Sequence, residues 1–193
     1  MARGDRRMAI LRAAEKLFLS GRFDRVTLDE VCQRAAVGKG TIYRYFQDKE
    51  DLYAQVILSG LDELYTSLDG KLSRPGCSED KLVATAQALR SFHGKRRNLF
   101  RSLHTVEFRR MLSKRALHKE LRERHDRIAR LVASVIKPAV KEGKYRGDVP
   151  PLAAARMFLA LTREGVRSKD CLDSRPVPVK RVVGLFLDGM RKR

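Results

Sequence analysis

Between Thr27 and Lys49 the chain reads Thr-Leu-Asp-Glu-Val-Cys-Gln-Arg-Ala-Ala-Val-Gly-Lys-Gly-Thr-Ile-Tyr-Arg-Tyr-Phe-Gln-Asp-Lys, and this stretch leaves few folds open. Thr27 and Glu30 stand at capping-box spacing: the threonine can bond a first-turn N–H while the glutamate reaches back. Leu28, Val31, Cys32 and Ala35 then share one helical face. Gly38 and Gly40 frame a turn after Val37, where positive φ or a close approach is easiest. A second short helix is predicted over Thr41–Gln47, and Asp48 suits the N-cap of a third.

At about 100° per residue, Ile42 and Phe46 fall together on the inner side of a helix over Lys39–Phe46. Gly40, Thr41 and Arg44 then point outward, with Tyr43 and Tyr45 on the flanks and Lys39 at the start. An outer side that is small, hydroxylic, aromatic and cationic suits a DNA groove. Arginine bonds guanine edges in a bidentate way, hydroxyls reach phosphates, and glycine lets the helix come close. A helix N-terminus also favours phosphate electrostatically.

The segment Val-Gly-Lys-Gly-Thr-Ile-Tyr-Arg-Tyr-Phe-Gln-Asp-Lys-Glu-Asp-Leu closely resembles the recognition helix and following segment of the tetracycline-repressor (TetR) family. The preceding Thr-Leu-Asp-Glu-Val-Cys-Gln-Arg-Ala-Ala fits as well, as does an earlier helix ending in Leu-Phe. The likeness covers roughly residues 4–64 and is only architectural beyond, and its spacing is more specific than a general helix-turn-helix pattern. It implies an all-α chain. A three-helix DNA-binding domain would span 4–64, with its helix-turn-helix at 27–46, and a helical effector-binding and dimerisation domain would span 73–193. It further implies a homodimer reading a palindromic operator on double-stranded DNA. Carried over residue by residue, Lys39 and Arg44 read bases and Thr27, Thr41, Tyr43, Tyr45 and Lys49 contact phosphate. Tyr43 is also placed to touch a base edge, and Gly40 permits the approach.

Net charge does not carry that reading. The chain holds +19 in 193 residues, but residues 1–60 account for only +3 and residues 61–193 for +16. The basic run Lys95-Arg96-Arg97, with Arg101, Arg109, Arg110, Lys114 and Arg115, is either a solvated face or an attractor of anions. A nonspecific basic nucleic-acid-binding protein is therefore the alternative reading. Three dispersed cysteines without ligand spacing argue against structural zinc and a disulfide framework, and fit a reducing cytoplasm. No apolar run resembles a signal peptide or a membrane span. No nucleophile–base pair, metal set or phosphate loop marks an enzyme, and no cofactor is expected.

The first helix carries Met8, Ile10, Leu11, Ala14, Leu17 and Phe18 and ends at Gly21. Arg3, Arg6 and Arg7 either touch phosphate or form a solvated end. From Asp48 one long amphipathic helix runs through Leu52, Val56, Ile57, Leu61, Leu64 and Leu68. Lys49 opposes the helix dipole in its first turn, so a partner is expected: phosphate, or a neighbouring acid. A linker at Ser73–Ser78, with Ser78 as N-cap, precedes a helix carrying Leu82 to Phe92. A further helix is predicted over Leu99–Leu112. Arg115–Lys141 has i, i+4 ion pairs on its outer face, and Pro138 should kink or end it. Two more helices follow, over Pro150–Arg167 and from Val179.

Two sets of inward residues in this half remain open in their reading. Phe92, Phe100, Leu103, His104, Glu107, Phe108, Leu121, His125, Met157 and Leu161 either line an effector pocket between helices or fill a core. The stripes Leu152, Ala155, Leu159 and Val179, Val182, Val183, Phe186, Leu187, Met190 either face a mate or face the protomer's own core. The family likeness favours the mate, through a four-helix bundle of the last two helices of each subunit; Gly184 and Gly189 would allow close approach.

Overall fold

A computed structural model describes residues 3–21, 23–97, 99, 115–167 and 177–191. Every regular element among them is helical: α1 (Arg3–Ser20), a 3-10 turn (Phe23–Arg25), α2 (Leu28–Ala35), α3 (Lys39–Tyr43), α4 (Lys49–Leu72), α5 (Ser78–Lys95), α6 (Arg115–Lys141), α7 (Pro151–Arg167) and α8 (Val179–Met190). The only strand-like feature among these residues is an isolated bridge between Tyr145 and Arg191. The chain divides into two compact units, residues 1–61 with 95–122, and residues 62–94 with 123–193. The first crossing between the units lies at residues 61–62. The return of 95–122 to the first unit is a long-range feature that no local pattern announces.

In the first unit α1, α2, α3 and the start of α4 enclose one apolar core containing Ile10, Leu11, Ala14, Phe18, Val31, Cys32, Ile42, Phe46, Leu52 and Tyr53. Phe18, Phe23 and Tyr53 stack edge-on at its floor, with Phe18–Tyr53 and Phe23–Tyr53 centroids 4.9 and 4.8 Å apart. The later segment joins this core through Leu99 and Leu117, with Leu121 packed against it. Polar contacts fix the docking: the Tyr53 hydroxyl donates to the Leu99 carbonyl, and Arg96 pairs with Glu15 at 2.7 Å.

Local chemistry sets the helix ends. The capping box of α2 is complete: Thr27 N–H donates to Glu30 at 2.7 Å and Glu30 N–H donates to the Thr27 hydroxyl at 3.2 Å. A cap of this kind is worth about 1 kcal/mol. Asp48 caps α4, accepting from Asp51 N–H at 2.6 Å, while Asp51 accepts from Gln47 N–H at 3.0 Å. The cap of α5 differs from expectation. The Cys77 thiol, one residue before Ser78, accepts from Asp80 N–H at 3.4 Å and donates to its carboxylate at 3.0 Å. Ser78 instead donates to the Val135 carbonyl at 3.0 Å, tying α5 to α6.

Two other expectations are corrected. Of the two effects expected of Pro138, a kink or an end, the end is ruled out: α6 continues to Lys141 and closes at Gly143 with φ 71. The bonds Gly143 N–H to Val140 O and Lys144 N–H to Ala139 O form a Schellman cap there. At the end of α2 the left-handed residue is Ala36, with φ 52, rather than a glycine; Gly38 has φ −76. Val37 N–H to Cys32 O at 3.0 Å and Ala36 N–H to Gln33 O at 3.3 Å hold it in place.

In the second unit α5, α6, α7 and α8 surround Leu82, Ala86, Val132, Ile136, Ala154, Phe158, Val183 and Phe186. Phe158 and Phe186 meet edge-on at 5.0 Å, joining α7 to α8. Ion pairs bind its surface, among them Arg156–Asp126 at 2.9 Å.

An alanine held at φ 52 costs about 1 kcal/mol that a glycine would not. Ala36→Gly is therefore expected to stabilise the first unit by up to roughly 0.6 kcal/mol after glycine's extra unfolded-state entropy is subtracted. Urea midpoints of the two proteins check this, and a lower midpoint for the glycine variant would contradict the left-handed cap.

Candidate nucleic-acid interface

The outward helix α3 has only five residues, Lys39–Tyr43, followed by a turn through Arg44 and Tyr45. It is shorter than the predicted Thr41–Gln47. A helix this short has no stability of its own, so packing must hold it. Ile42 and Phe46 supply that hold: both are fully buried in the first unit's core. Burying them contributes about 1.5–3 kcal/mol each. The turn is closed by Tyr45 N–H and Phe46 N–H, both donating to the Ile42 carbonyl at 2.9 Å.

With 42 and 46 inside, the residues between them emerge. Tyr43 is 59% exposed, and Arg44 and Gly40 are exposed. A Cβ added at Gly40 would meet nothing within 4 Å, so the face in front of it is open. Thr41 is half-buried beside it. The Arg44 guanidinium lies 5.6 Å from the centroid of the Tyr45 ring, which steadies a long side chain that would otherwise lose rotamer freedom on contact. Tyr45 itself is half-buried against the core, so its ring is support for Arg44.

Three expected contact residues are already committed within the protein. The Thr27 hydroxyl donates to Glu30 at 3.0 Å in addition to its capping bonds, so both of its donors serve the cap. Lys49 is the clearest correction. Its ammonium donates to the carbonyls of Phe23 and Val26, each at 3.1 Å, and lies 4.5 Å from the Phe23 ring centroid. The partner that the helix dipole demanded is thus neither phosphate nor an acid. It is the set of carbonyls left open around the 3-10 turn. Lys39 pairs with Asp29 at 2.8 Å, with side-chain exposures of 66% and 63%. That contact raises the Lys39 pKa above its ordinary value. The pair links two helices across a turn, which is why helical periodicity gave no sign of Asp29. Near the N-terminus Arg7 donates to Gln55 at 2.8 Å and sits 5.6 Å from the Phe46 ring centroid, so it braces the core instead of standing free.

The pocket and mate-facing expectations need revision too. Ala155, Val179, Val183, Phe186, Leu187 and Met190 belong to the second unit's own core, Val182 is buried, and Leu152 and Leu159 are half-buried. Their stripes face inward because α7 and α8 pack on each other through Phe158 and Phe186. What remains outside is a different set: Met157 at 63%, Leu161 at 39% and Leu185 at 63% exposure. Met157 and Leu161 therefore do not line an internal cavity, since Ala154, Ala155 and Phe158 take the inner arc of α7. Leu121 packs on the first unit's core, His125 is exposed and Phe92 is buried. Phe100, Leu103, His104, Glu107 and Phe108, with nearly all of the predicted Leu99–Leu112 helix, lie outside the described residues. Nothing comes within 4 Å of a Cβ built at Gly184 or Gly189, so neither glycine admits a close neighbour in this chain. His93 is pushed down to about 4, chiefly by burial and then by Arg163 and His125, and is neutral at pH 7. Among the described residues no group of three or more His, Cys, Asp or Glu could hold a metal ion, and no helix is long and apolar enough to cross a membrane.

Known proteins share this arrangement. Residues 10–56 match the family described as bacterial regulatory proteins, tetR family. The HTH-type transcriptional regulator YhgD of Bacillus subtilis is 40% identical over 65 residues, a match that spans only 34% of this chain and 34% of that relative. The fold of a protein from Mesorhizobium loti, described as a TetR-family transcriptional regulator, superposes over 100% of both chains with a TM-score of 0.74 at 22% identity. The transcriptional regulator FadR of Bacillus subtilis, solved in complex with stearoyl-CoA, superposes over 94% of this chain and 95% of its own with a TM-score of 0.71 at 16% identity. Identities this low speak for fold alone.

The geometry at Lys49 generates a test of its role. Charge-assisted bonds to carbonyls are worth about 1.5–3 kcal/mol. Lys49→Met should therefore lower the stability of the first unit by roughly that much, read as a lower melting temperature, while Arg44→Ala should leave melting unchanged. Equal melting of Lys49→Met and the parent would return Lys49 to a purely external role.

Proposed function

The chain belongs, by its N-terminal domain, to the TetR family of bacterial regulatory proteins, and from that premise we propose that it is a ligand-responsive repressor that binds a palindromic operator as a homodimer. It is a DNA-binding transcriptional regulator; the repressor role, the two-fold operator and the effector are the proposal. The observation that supports it most is the burial of Ile42 and Phe46, which leaves Gly40, Tyr43 and Arg44 on an open outward side. In the proposed complex Arg44 reads a guanine edge, Thr41 and Tyr43 reach phosphates, and two such heads enter successive major grooves about one turn apart.

The proposed mate-facing surface is the outer side of α7 and α8, marked by Met157, Leu161 and Leu185. Three large apolar side chains exposed on two adjacent helices suit a bundle with the same helices of a second copy. The proposed effector acts on the second unit, and only a difference in its affinity for the two states of the dimer can change operator binding. The FadR fold likeness and the +16 carried by residues 61–193 make an acyl-CoA, apolar at one end and anionic at the other, the first effector class to test.

Selection of bound duplexes from a random pool tests the reading, followed by footprinting of the selected site. A two-fold symmetric footprint is expected; one without symmetry would overturn the dimeric reading. Arg44→Ala should relax base preference at one position in each half-site, a loss of about 1–3 kcal/mol in discrimination. The +19 net charge supports the alternative of a nonspecific nucleic-acid binder, which random-sequence competitor DNA would distinguish by displacing the operator at equal concentration. Leu185→Glu should shift sedimentation toward monomer and weaken operator binding, with the parent's helix content retained; an unchanged dimer would place the mate elsewhere.

A further inference from the structure

The first turn of α2 holds two acids with different fates. Glu30 is taken up by Thr27, closing the capping box. Asp29 reaches across the turn to Lys39, the first residue of α3. The helices do not need this pair to stay together: Val31, Cys32, Ile42 and Phe46 share one core beneath them. An exposed ion pair of this kind adds little to stability. What the pair does fix is the position of a cation and a carboxylate at the start of the outward helix, next to the open face at Gly40.

A carboxylate in that place meets a duplex carrying one negative charge per ~1.7 Å of axis, and phosphates repel it. It is tolerated where a base edge donates a hydrogen to it. In the major groove the donors are the amino groups of cytosine and adenine, and the acceptors suited to a lysine are guanine O6 and N7. A G·C pair presents both kinds of group side by side. An ammonium already neutralised by Asp29 has correspondingly less to gain from a phosphate of arbitrary sequence.

We propose that Asp29 is a positioning and specificity-determining residue of the DNA interface: it holds Lys39 off the phosphate backbone and aims it at a guanine edge, while its own carboxylate accepts the amino group of the paired cytosine. This inference rests on the regulator reading given above. The hydrogen bond and charge of Asp29 raise the Lys39 pKa above its ordinary value, which favours the ammonium as a donor.

Asp29→Asn, Lys39→Ala and the double variant, each as the full chain, separate the possibilities in three measurements: selection from a random duplex pool, affinity for a random-sequence duplex, and the dependence of that affinity on salt. Asp29→Asn is expected to bind random duplex about tenfold more tightly at low salt, to steepen the slope of log affinity against log salt by about one, and to lose the G·C preference at one position in each half-site. Placed on Lys39→Ala, the same change should leave the slope unaltered, since no ammonium remains to be released to a phosphate, while the cytosine preference is still lost. Glu63→Gln, which removes one exposed acid from α4, controls for bulk charge and should leave the selected sequence intact. The proposal is overturned if Asp29→Asn keeps the parental sequence preference and slope, or if its effect on the slope persists on Lys39→Ala. In both cases the parent and Arg44→Ala still differ in sequence preference, so the regulator reading survives. A parent that selects no sequence from the pool would sink that reading and this inference together.

Discussion

Everything on the outward side of this protein depends on two side chains pointing the other way. Ile42 and Phe46 are one helical turn apart, both fully buried, and between them lies a segment too short to be a stable helix by itself. The apolar anchors convert five residues of helix and a turn into a rigid projection. Once they are seated, the chain has no freedom to choose where Arg44 goes. The anchors in turn need a floor. Phe18, Phe23 and Tyr53 provide it, and the Lys49 ammonium ties the Phe23–Val26 turn to the start of α4 by two 3.1 Å bonds and a cation–π contact. The reading head is therefore preorganised by packing, and helix propensity plays a small part.

What the sequence disclosed, and what it withheld, follows the range of the interactions. The Thr27–Glu30 box, the Asp48 cap and the inward placement of Ile42 and Phe46 are set by residues three or four apart, and all were legible from spacing. Lys49 was legible only as a question. An unfavourable charge in a first turn demanded a partner, but the partner lay at residues 23–26, beyond any local pattern. Ala36 was hidden for a different reason. Glycine is the residue that φ > 0 favours, so attention goes to Gly38 and Gly40, while the bonds to Cys32 and Gln33 carbonyls hold an alanine there instead. In the second unit, periodicity correctly gave burial to Val179, Val183 and Phe186 but could not say by what. The answer is α7 of the same chain, and the apolar surface left over is the flank that the inward stripe excludes.

The same distinction bears on what completes the core of the first unit. Residues 95–122 return to the first unit, where Leu99 and Leu117 enter the core that holds Ile42 and Phe46. The buried Tyr53 hydroxyl bonds the Leu99 carbonyl, and Arg96 bonds Glu15 on α1. That core is completed by Leu99 and Leu117, far along the chain from Ile42 and Phe46, and α4, α5 and α6 each contribute residues to both units. A close-packed core tolerates discrete rearrangements better than gradual ones. The short helix α3 is fastened to that core by Ile42 and Phe46, so its placement follows from how the core packs.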